Sequence, residues 1–105
     1  MRFGLRDEDL EYIIKKINEF PEIESAYIFG SRAKGNYKKT SDIDIAIEGK
    51  EITFDTLSKL HSLLEETGPL PYMIDIVDLN KTTNNELREH IERVGIKFFS
   101  RRDYV

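Results

Sequence analysis

The sequence of 105 residues contains no cysteine and no long, uninterrupted hydrophobic run. The lack of cysteine excludes disulfides and thiolate zinc sites, and it fits the reducing cytoplasm, where we expect the protein to act. Because no stretch is long and apolar enough to cross a bilayer, we expect no membrane-spanning segment. The first seven residues also lack the apolar core of a signal peptide.

Positive charge is in short supply as well. The 20 acidic residues outnumber the 16 basic ones, and the formal net charge is −4. A domain whose main task is to grip nucleic acid is usually basic, so we expect no direct, stable binding of nucleic acid. The length is enough for one modest core, and no linker, repeat or low-complexity tract divides the chain. The sequence therefore predicts a single domain over residues 1–105.

Apolar spacing predicts an α+β fold. The 3.6-residue period of a helical face runs through 7–20, through 53–67 and from 82 or 83 to 94. Strands are predicted at 23–29, 42–47 and 72–79, while 96–99 is either a short edge strand or a packed tail. We expect Phe54 on the apolar side of the second helix and His90 on the solvent side of the last. The polar stretch 101–105 is expected to be loose.

A glycine-serine turn follows the first predicted strand. The apolar run that ends at Phe29 is followed by Gly30, and Ser31 to Lys34 can form one helical turn before Gly35. A strand that runs into a helix N-terminus points free backbone N–H groups at whatever lies in front, and a phosphate is a natural occupant. Gly30 and Ser31 are therefore candidate phosphate-binding residues.

An alternating acidic strand follows ten residues later. Ile43, Ile45 and Ile47 have the period of a strand with one buried face, which leaves Asp42 and Asp44 together on the other face. Two residues of strand separate their Cα atoms by about 6.5 Å, so both carboxylates can reach one divalent cation. The pair predicts an open metal site with oxygen ligands.

A third aspartate stands inside the β-rich run 72–79. A carboxylate is costly to bury unpaired, so Asp75 requires either a salt bridge, a hydrogen-bonded turn or a place in the acidic cluster. Asp78 is the competing candidate, but it lies three residues further on, at the strand end and on the opposite face.

Basic residues concentrate between the glycine-serine turn and the aspartate pair. Arg32, Lys34, Lys38 and Lys39 form either a solvated loop or, as a group, contacts to a triphosphate. Ser41 either orients metal ligands and phosphates or simply opens the strand as a turn residue. Tyr37 could stack on a base, although an exposed loop tyrosine usually has no such role.

The motif Gly30-Ser31, ten residues, Asp42-Ile43-Asp44 resembles the signature of the DNA polymerase β-like nucleotidyltransferases. The nearest resemblance is to the minimal nucleotidyltransferase, or MntA-like antitoxin, group, and it extends over essentially the whole chain. Members of that family have a third acidic residue in a hydrophobic strand, which favours Asp75 as the third ligand. One departure is Lys34, where the group commonly has arginine, so the bidentate fork is lost while the charge remains.

The resemblance implies a reaction. Asp42, Asp44 and Asp75 would hold magnesium, two ions in all, and Gly30, Ser31, Lys34 and Ser41 would bind the nucleotide and its phosphates. AMP would pass from ATP to a tyrosine of a partner HEPN-domain toxin and silence it, as in a type VII-like toxin–antitoxin pair. A partner would have to supply most of the acceptor pocket. Two alternatives remain at this point: an antitoxin that only masks its partner, and transfer to a small molecule such as an aminoglycoside.

Overall fold

The computed structural model describes residues 2–66 and 68–104, the last two of them by their main chain only. The helices are α1 (Asp7–Asn18), α2 (Ser31–Lys34), α3 (Phe54–His61) and α4 (Asn85–Val94), with a π-helical stretch (Ser62–Glu66) that continues α3. The strands are β1 (Ser25–Phe29), β2 (Ile43–Glu48), β3 (Ile74–Asp78) and β4 (Ile96–Ser100), and a 3-10 helix (Arg101–Tyr104) follows. The predicted α+β class is confirmed.

The four described strands form one mixed sheet in the order β3-β2-β1-β4. β1 is antiparallel to both β2 and β4, whereas β2 and β3 run parallel. Parallel neighbours need a crossover, and α3 with its π-helical extension provides it. This connection places β3 at the edge of the sheet, directly beside β2.

The alternation in β2 divides the sheet into two faces. Ile43, Ile45 and Ile47 are fully buried in the main core, together with residues of α1 and α3 such as Ile13 and Leu60. Each buried side chain of this size contributes about 1.5–3 kcal/mol. The other face carries a smaller core under α4, composed of Phe29, Ala46, Leu79 and Ile91. α4 covers only part of this second face.

Phe54 does not join the core as predicted, because 82% of its surface is exposed. At 100° per residue, Phe54 lies about 120° around the helix axis from buried Leu60, and so outside the apolar stripe. The start of α3 is fixed instead by a capping box, in which Thr53 and Thr56 bond each other's backbone N–H.

Two expectations about the C-terminal part are wrong. His90 is half-buried rather than on the solvent side, and its ring meets Phe29 edge-on with centroids 6.2 Å apart. Arg101 is not loose, because its guanidinium donates to the carbonyl oxygens of Ile23 and Phe20 at 2.9 and 2.8 Å. The final residue of the tail, Val105, lies outside the described residues.

None of the helices within residues 2–66 and 68–104 is both long and apolar enough to span a bilayer.

Candidate active site

Asp44 and Asp75 face each other across the parallel pair β2 and β3. They are register partners, and adjacent strands lie about 4.8 Å apart. Their face is the one that α4 covers in part, so Ala46 is buried while Asp44 is half-buried and Asp75 exposed. A place for Asp75 in the acidic cluster requires these two strands to be neighbours, and they are.

Asp42 lies at the entrance to β2, one residue before the strand begins. The backbone N–H of Ile43 donates to the carbonyl of Met73 at 2.9 Å, so the ladder to β3 is already formed next to Asp42. Asp42 is exposed, and its charge nevertheless acts on Asp44. The three aspartates therefore lie together where β2 and β3 begin, a place that we call the aspartate edge.

The electrostatics of Asp44 record this crowding. Burial, and after it the charges of Asp75 and Asp42, together raise the pKa of Asp44 to about 6, while Arg32 acts in the opposite direction. An ordinary aspartate has a pKa of 3.8. Like charges gathered in this way are stabilised by a cation, as expected of a metal-binding or catalytic site.

Gly30 brings the glycine-serine turn against Asp44. Its φ of 72° and ψ of −151° fall in a region that essentially only glycine occupies. A Cβ at this position would lie 2.3 Å from Oδ2 of Asp44, so the close approach also requires glycine. Ser31 then begins α2, in agreement with the predicted turn at 31–34.

Arg32 is neither solvated nor free to contact a phosphate, and both interpretations of the basic loop are wrong for this residue. Only 2% of its surface is exposed. Its guanidinium donates to the backbone carbonyls of Phe3, Lys39 and Ser41. Sequence reasoning missed this role, because nothing in the periodicity of a short polar loop indicates which cation is buried.

Lys34 and Ser41 occupy different surroundings. Lys34 is exposed at the end of α2, within one helical turn of Ser31. The hydroxyl of Ser41 accepts a hydrogen bond from the backbone N–H of Lys38 at 2.8 Å, and its carbonyl accepts from Arg32. Ser41 thus shapes the loop that leads into Asp42.

Tyr37 packs inward from the same loop. Its ring lies against Gly4, where an added Cβ would come within 2.2 Å of Cε2, and the Arg32 guanidinium stands 5.3 Å from the ring centroid. About a third of its surface, 36%, remains exposed. The ring is therefore occupied by protein contacts on the side that faces Arg32.

The free edge of β3 is held by a residue that the sequence did not reveal. Oε2 of Glu65, in the π-helical stretch, accepts the backbone N–H of Ile74 at 2.9 Å and pairs with Nε2 of His61 at 2.8 Å. Ile74 directly precedes Asp75, so this carboxylate fixes the strand next to the third aspartate.

The aspartates fit a divalent cation without enclosing one. Among the residues that the structure describes, no three acidic, histidine or cysteine side chains converge as a ready-made metal site. The donors are all carboxylate oxygens, which is the set that Mg2+ prefers, and Mg2+ commonly completes its shell with water and substrate phosphates. An open edge with facing carboxylates suits that mode of binding.

A cavity of about 580 Å³ lies elsewhere. Ser25, Glu48 and Lys97 line it at the opposite end of β1 and β2, and it contains none of the predicted site residues. The three aspartates lie outside this cavity, and two of them, Asp42 and Asp75, are exposed.

The family of the chain follows from comparisons with known proteins. The family model described as polymerase beta, nucleotidyltransferase matches residues 11–104. A probable protein adenylyltransferase MntA of Haemophilus influenzae is 32% identical over 96 residues, which cover 90% of this chain and 82% of that protein. The protein adenylyltransferase MntA of Shewanella oneidensis is 31% identical over 72 residues, which cover 68% of this chain and 51%, about half, of that protein.

Solved structures show the same fold. A crystal structure of a toxin-antitoxin with AMP-PNP superposes with a TM-score of 0.72 at 26% identity and covers 90% of this chain and 76% of that chain. An MntA-HepT toxin-antitoxin superposes with a TM-score of 0.68 at 23% identity over 93% of this chain and 76% of that one, which supports the fold alone. The resemblance seen in the Gly-Ser and Asp-x-Asp motif is confirmed, and the chain belongs to the polymerase β nucleotidyltransferase family.

Proposed function

We propose that this nucleotidyltransferase moves AMP from magnesium-bound ATP to a tyrosine hydroxyl of a HEPN-domain toxin, and so acts as the antitoxin of a type VII-like pair. The observation that carries the proposal is that Asp44 faces Asp75 while Gly30 contacts Asp44. A phosphate turn and facing carboxylates are what nucleotidyl transfer requires. The relatives named protein adenylyltransferase support the choice of a protein as acceptor.

Binding of the triphosphate is assigned to the turn and the adjoining helix. Gly30 allows the backbone to approach the phosphates, Ser31 adds a hydroxyl, and Lys34 adds a positive charge one turn later. Ser41 holds the loop behind Asp42 in shape. Asp42, Asp44 and Asp75 would hold two magnesium ions. When bound, these ions neutralise the phosphate charge and lower the pKa of the attacking hydroxyl.

The transfer itself needs one proton acceptor. The tyrosine oxygen forms a bond to the α-phosphorus, and the bond from that phosphorus to the bridging oxygen of the β-phosphate breaks. The hydroxyl proton passes to Asp75, which is the exposed member of the facing pair. Pyrophosphate leaves with the electron pair of the broken bond, so charge and atoms balance.

The open edge explains the need for a partner. Asp75 and Asp42 are both exposed, so this chain by itself does not enclose an acceptor side chain. A protein that docks over the edge would supply the missing wall and exclude water during transfer. A cytoplasmic location belongs to the same proposal, because ATP and Mg2+ are available there.

The experiment that tests the proposal uses intact mass spectrometry. The protein is incubated with ATP, Mg2+ and the HEPN-domain protein encoded nearest to its gene, and the partner is weighed. We expect a gain of one or more AMP units that is lost in Asp42→Ala. If the partner is neutralised with no change in mass, the masking alternative is correct and the enzymatic proposal fails.

A further inference from the structure

Arg32 is buried far more deeply than arginine usually is, with 2% of its surface exposed. Its guanidinium donates to the carbonyl of Phe3 at 2.8 Å, to Ser41 at 2.8 and 3.2 Å and to Lys39 at 3.3 Å. These carbonyls belong to the N-terminal turn and to the loop that precedes β2. One side chain therefore ties both segments to α2.

Two tyrosines enclose the same guanidinium. The ring of Tyr37 lies 5.3 Å from its central carbon, and the ring of Tyr72 lies 4.9 Å away. Tyr37 belongs to the loop, whereas Tyr72 stands two residues before β3. Cation–π contacts of this kind become stronger when the cation is desolvated, as it is here.

The bond to Ser41 acts directly on the next residue. The carbonyl of Ser41 and the backbone N–H of Asp42 belong to one planar peptide unit, so a donor that fixes the first also fixes the second. The tip of the loop is closed locally by the bonds between Lys38 and Ser41. Arg32 connects that closed tip to α2 and to the N-terminal turn.

The strained turn at Phe3 is also held by Arg32. Phe3 has a φ of 58°, in the left-handed region that non-glycine residues rarely adopt. Its carbonyl is an acceptor for Arg32, and the neighbouring Gly4 makes room for the ring of Tyr37. A backbone conformation of this kind persists only where the surrounding contacts hold it.

We propose that Arg32, whose guanidinium lies between the rings of Tyr37 and Tyr72, is a positioning residue that holds the loop 35–41 and thereby sets Asp42 beside Asp44 for metal binding. The planar guanidinium is required, because it offers donors in several directions at once, whereas a lysine ammonium cannot reach three separated carbonyls from one place. Its charge also reaches the site, since it lowers the pKa of Asp44.

The test compares Arg32→Lys with Arg101→Lys. Arg101 is a matched control, because its guanidinium donates to the carbonyls of Ile23 and Phe20 and lies 5.4 Å from the ring of Phe99. Ser100 is the register partner of Ser25, so Arg101 stands at the opposite end of β1 from Gly30. Both variants lose several hydrogen bonds to backbone carbonyls, but only Arg32 lies near the three aspartates.

Hydrogen exchange of the protein without nucleotide is the first readout. We expect backbone exchange in residues 36–42 to be about 10-fold faster in Arg32→Lys and unchanged in Arg101→Lys. The second readout is the Mg2+ concentration that gives half-maximal binding of ATP. It should rise about 10-fold in Arg32→Lys, which is the usual effect of removing a residue that orients metal ligands, and stay constant in Arg101→Lys.

Tyr37→Leu keeps the inference testable if Arg32→Lys does not fold. Tyr37 is partly exposed, and its loss removes one face of the clamp without opening the main core. We expect changes of about 2- to 5-fold in the same direction for both readouts, which corresponds to one cation–π contact. The phenolic hydroxyl is irrelevant to this role, so Tyr37→Phe should behave as the wild type.

Unchanged loop exchange in both Arg32→Lys and Tyr37→Leu would overturn the inference. A loosened loop with an unaltered Mg2+ requirement would overturn it as well, because the loop would then not position Asp42. The inference rests on the proposed function for its chemical meaning. If the wild-type protein does not bind ATP with Mg2+, the proposed function fails, and loop exchange alone decides the role of Arg32.

Discussion

Asp44 lies directly opposite Asp75 in the parallel ladder between β2 and β3, and the turn at Gly30 presses against its carboxylate. Two negative charges on adjacent strands repel each other, and Asp44 is half-buried as well. A fold selected for stability alone would avoid this pairing, whereas a site that recruits cations depends on it. The arrangement leads to tests that separate stability from activity.

Replacing Asp44 should stabilise the protein while it abolishes transfer. The raised pKa of about 6, against 3.8 normally, means that ionising Asp44 costs more in the folded than in the unfolded chain. For a fully buried group this shift corresponds to about 3 kcal/mol, and because Asp44 is only half-buried we expect Asp44→Asn to add on the order of 1 kcal/mol at neutral pH.

The pH dependence has a defined sign. The stability associated with protonated Asp44 is fully present below about pH 4 and is lost as pH rises through about 6. The melting temperature of Asp44→Asn should therefore exceed that of the wild type by a margin that opens between these values. Thermal melts across this range provide the check, with the exposed Asp55→Asn as control. A margin that is constant with pH would contradict the assignment.

Gly30→Ala should abolish ATP binding, and backbone strain alone should not account for the loss. The added Cβ would collide with Oδ2 of Asp44, and the backbone strain costs about 1–3 kcal/mol. Gly35→Ala is the matched control, because Gly35 has a φ of 87° but no heavy atom within 4 Å of the added Cβ. ATP binding measured by calorimetry in the presence of Mg2+ should be lost in Gly30→Ala and kept in Gly35→Ala. Equal losses would show that strain alone matters.

Lys34→Ala should weaken ATP binding modestly and in a salt-dependent way. Lys34 is exposed at the end of α2, so a contact to phosphate is worth at most about 1 kcal/mol, or about 5-fold in affinity. The difference from wild type should shrink at high salt, because exposed charges are screened. Lys59→Ala on α3 serves as the control in the same titrations. Identical affinities for Lys34→Ala and wild type at low salt would exclude the contact.

The parts of the site that depend on residues close together in the sequence could be predicted. The alternation of Ile43, Ile45 and Ile47 assigned Asp44 to the second face of the sheet, and the break at Gly30 marked the turn. Both depend on neighbours in sequence. The pairing of Asp75 with Asp44 is a long-range contact. Strand alternation put Asp78 on the opposite face from Asp75, but only the resemblance to a known family favoured Asp75 as a partner of Asp44.

Long-range contacts also explain what the sequence did not reveal. Arg32 is buried because Phe3, Tyr37 and Tyr72, which lie far apart in the chain, surround it. Arg101 is anchored to carbonyls that precede β1, and no terminal pattern indicates this. From the sequence alone, a basic side chain in a polar segment is predicted to be solvated, because the distant carbonyls that accept its hydrogen bonds are not known.

The most direct test of the central claim compares Asp75→Asn with Asp78→Asn in the transfer reaction. Asp78 is buried, accepts the backbone N–H of Asn80 at 3.1 Å, and lies at the far end of β3, so its replacement disturbs the strand without touching the facing pair. The mass of the HEPN-domain partner is measured after incubation with ATP and Mg2+. We predict that Asp78→Asn still adds AMP and that Asp75→Asn adds none, whereas full transfer by Asp75→Asn would contradict the account.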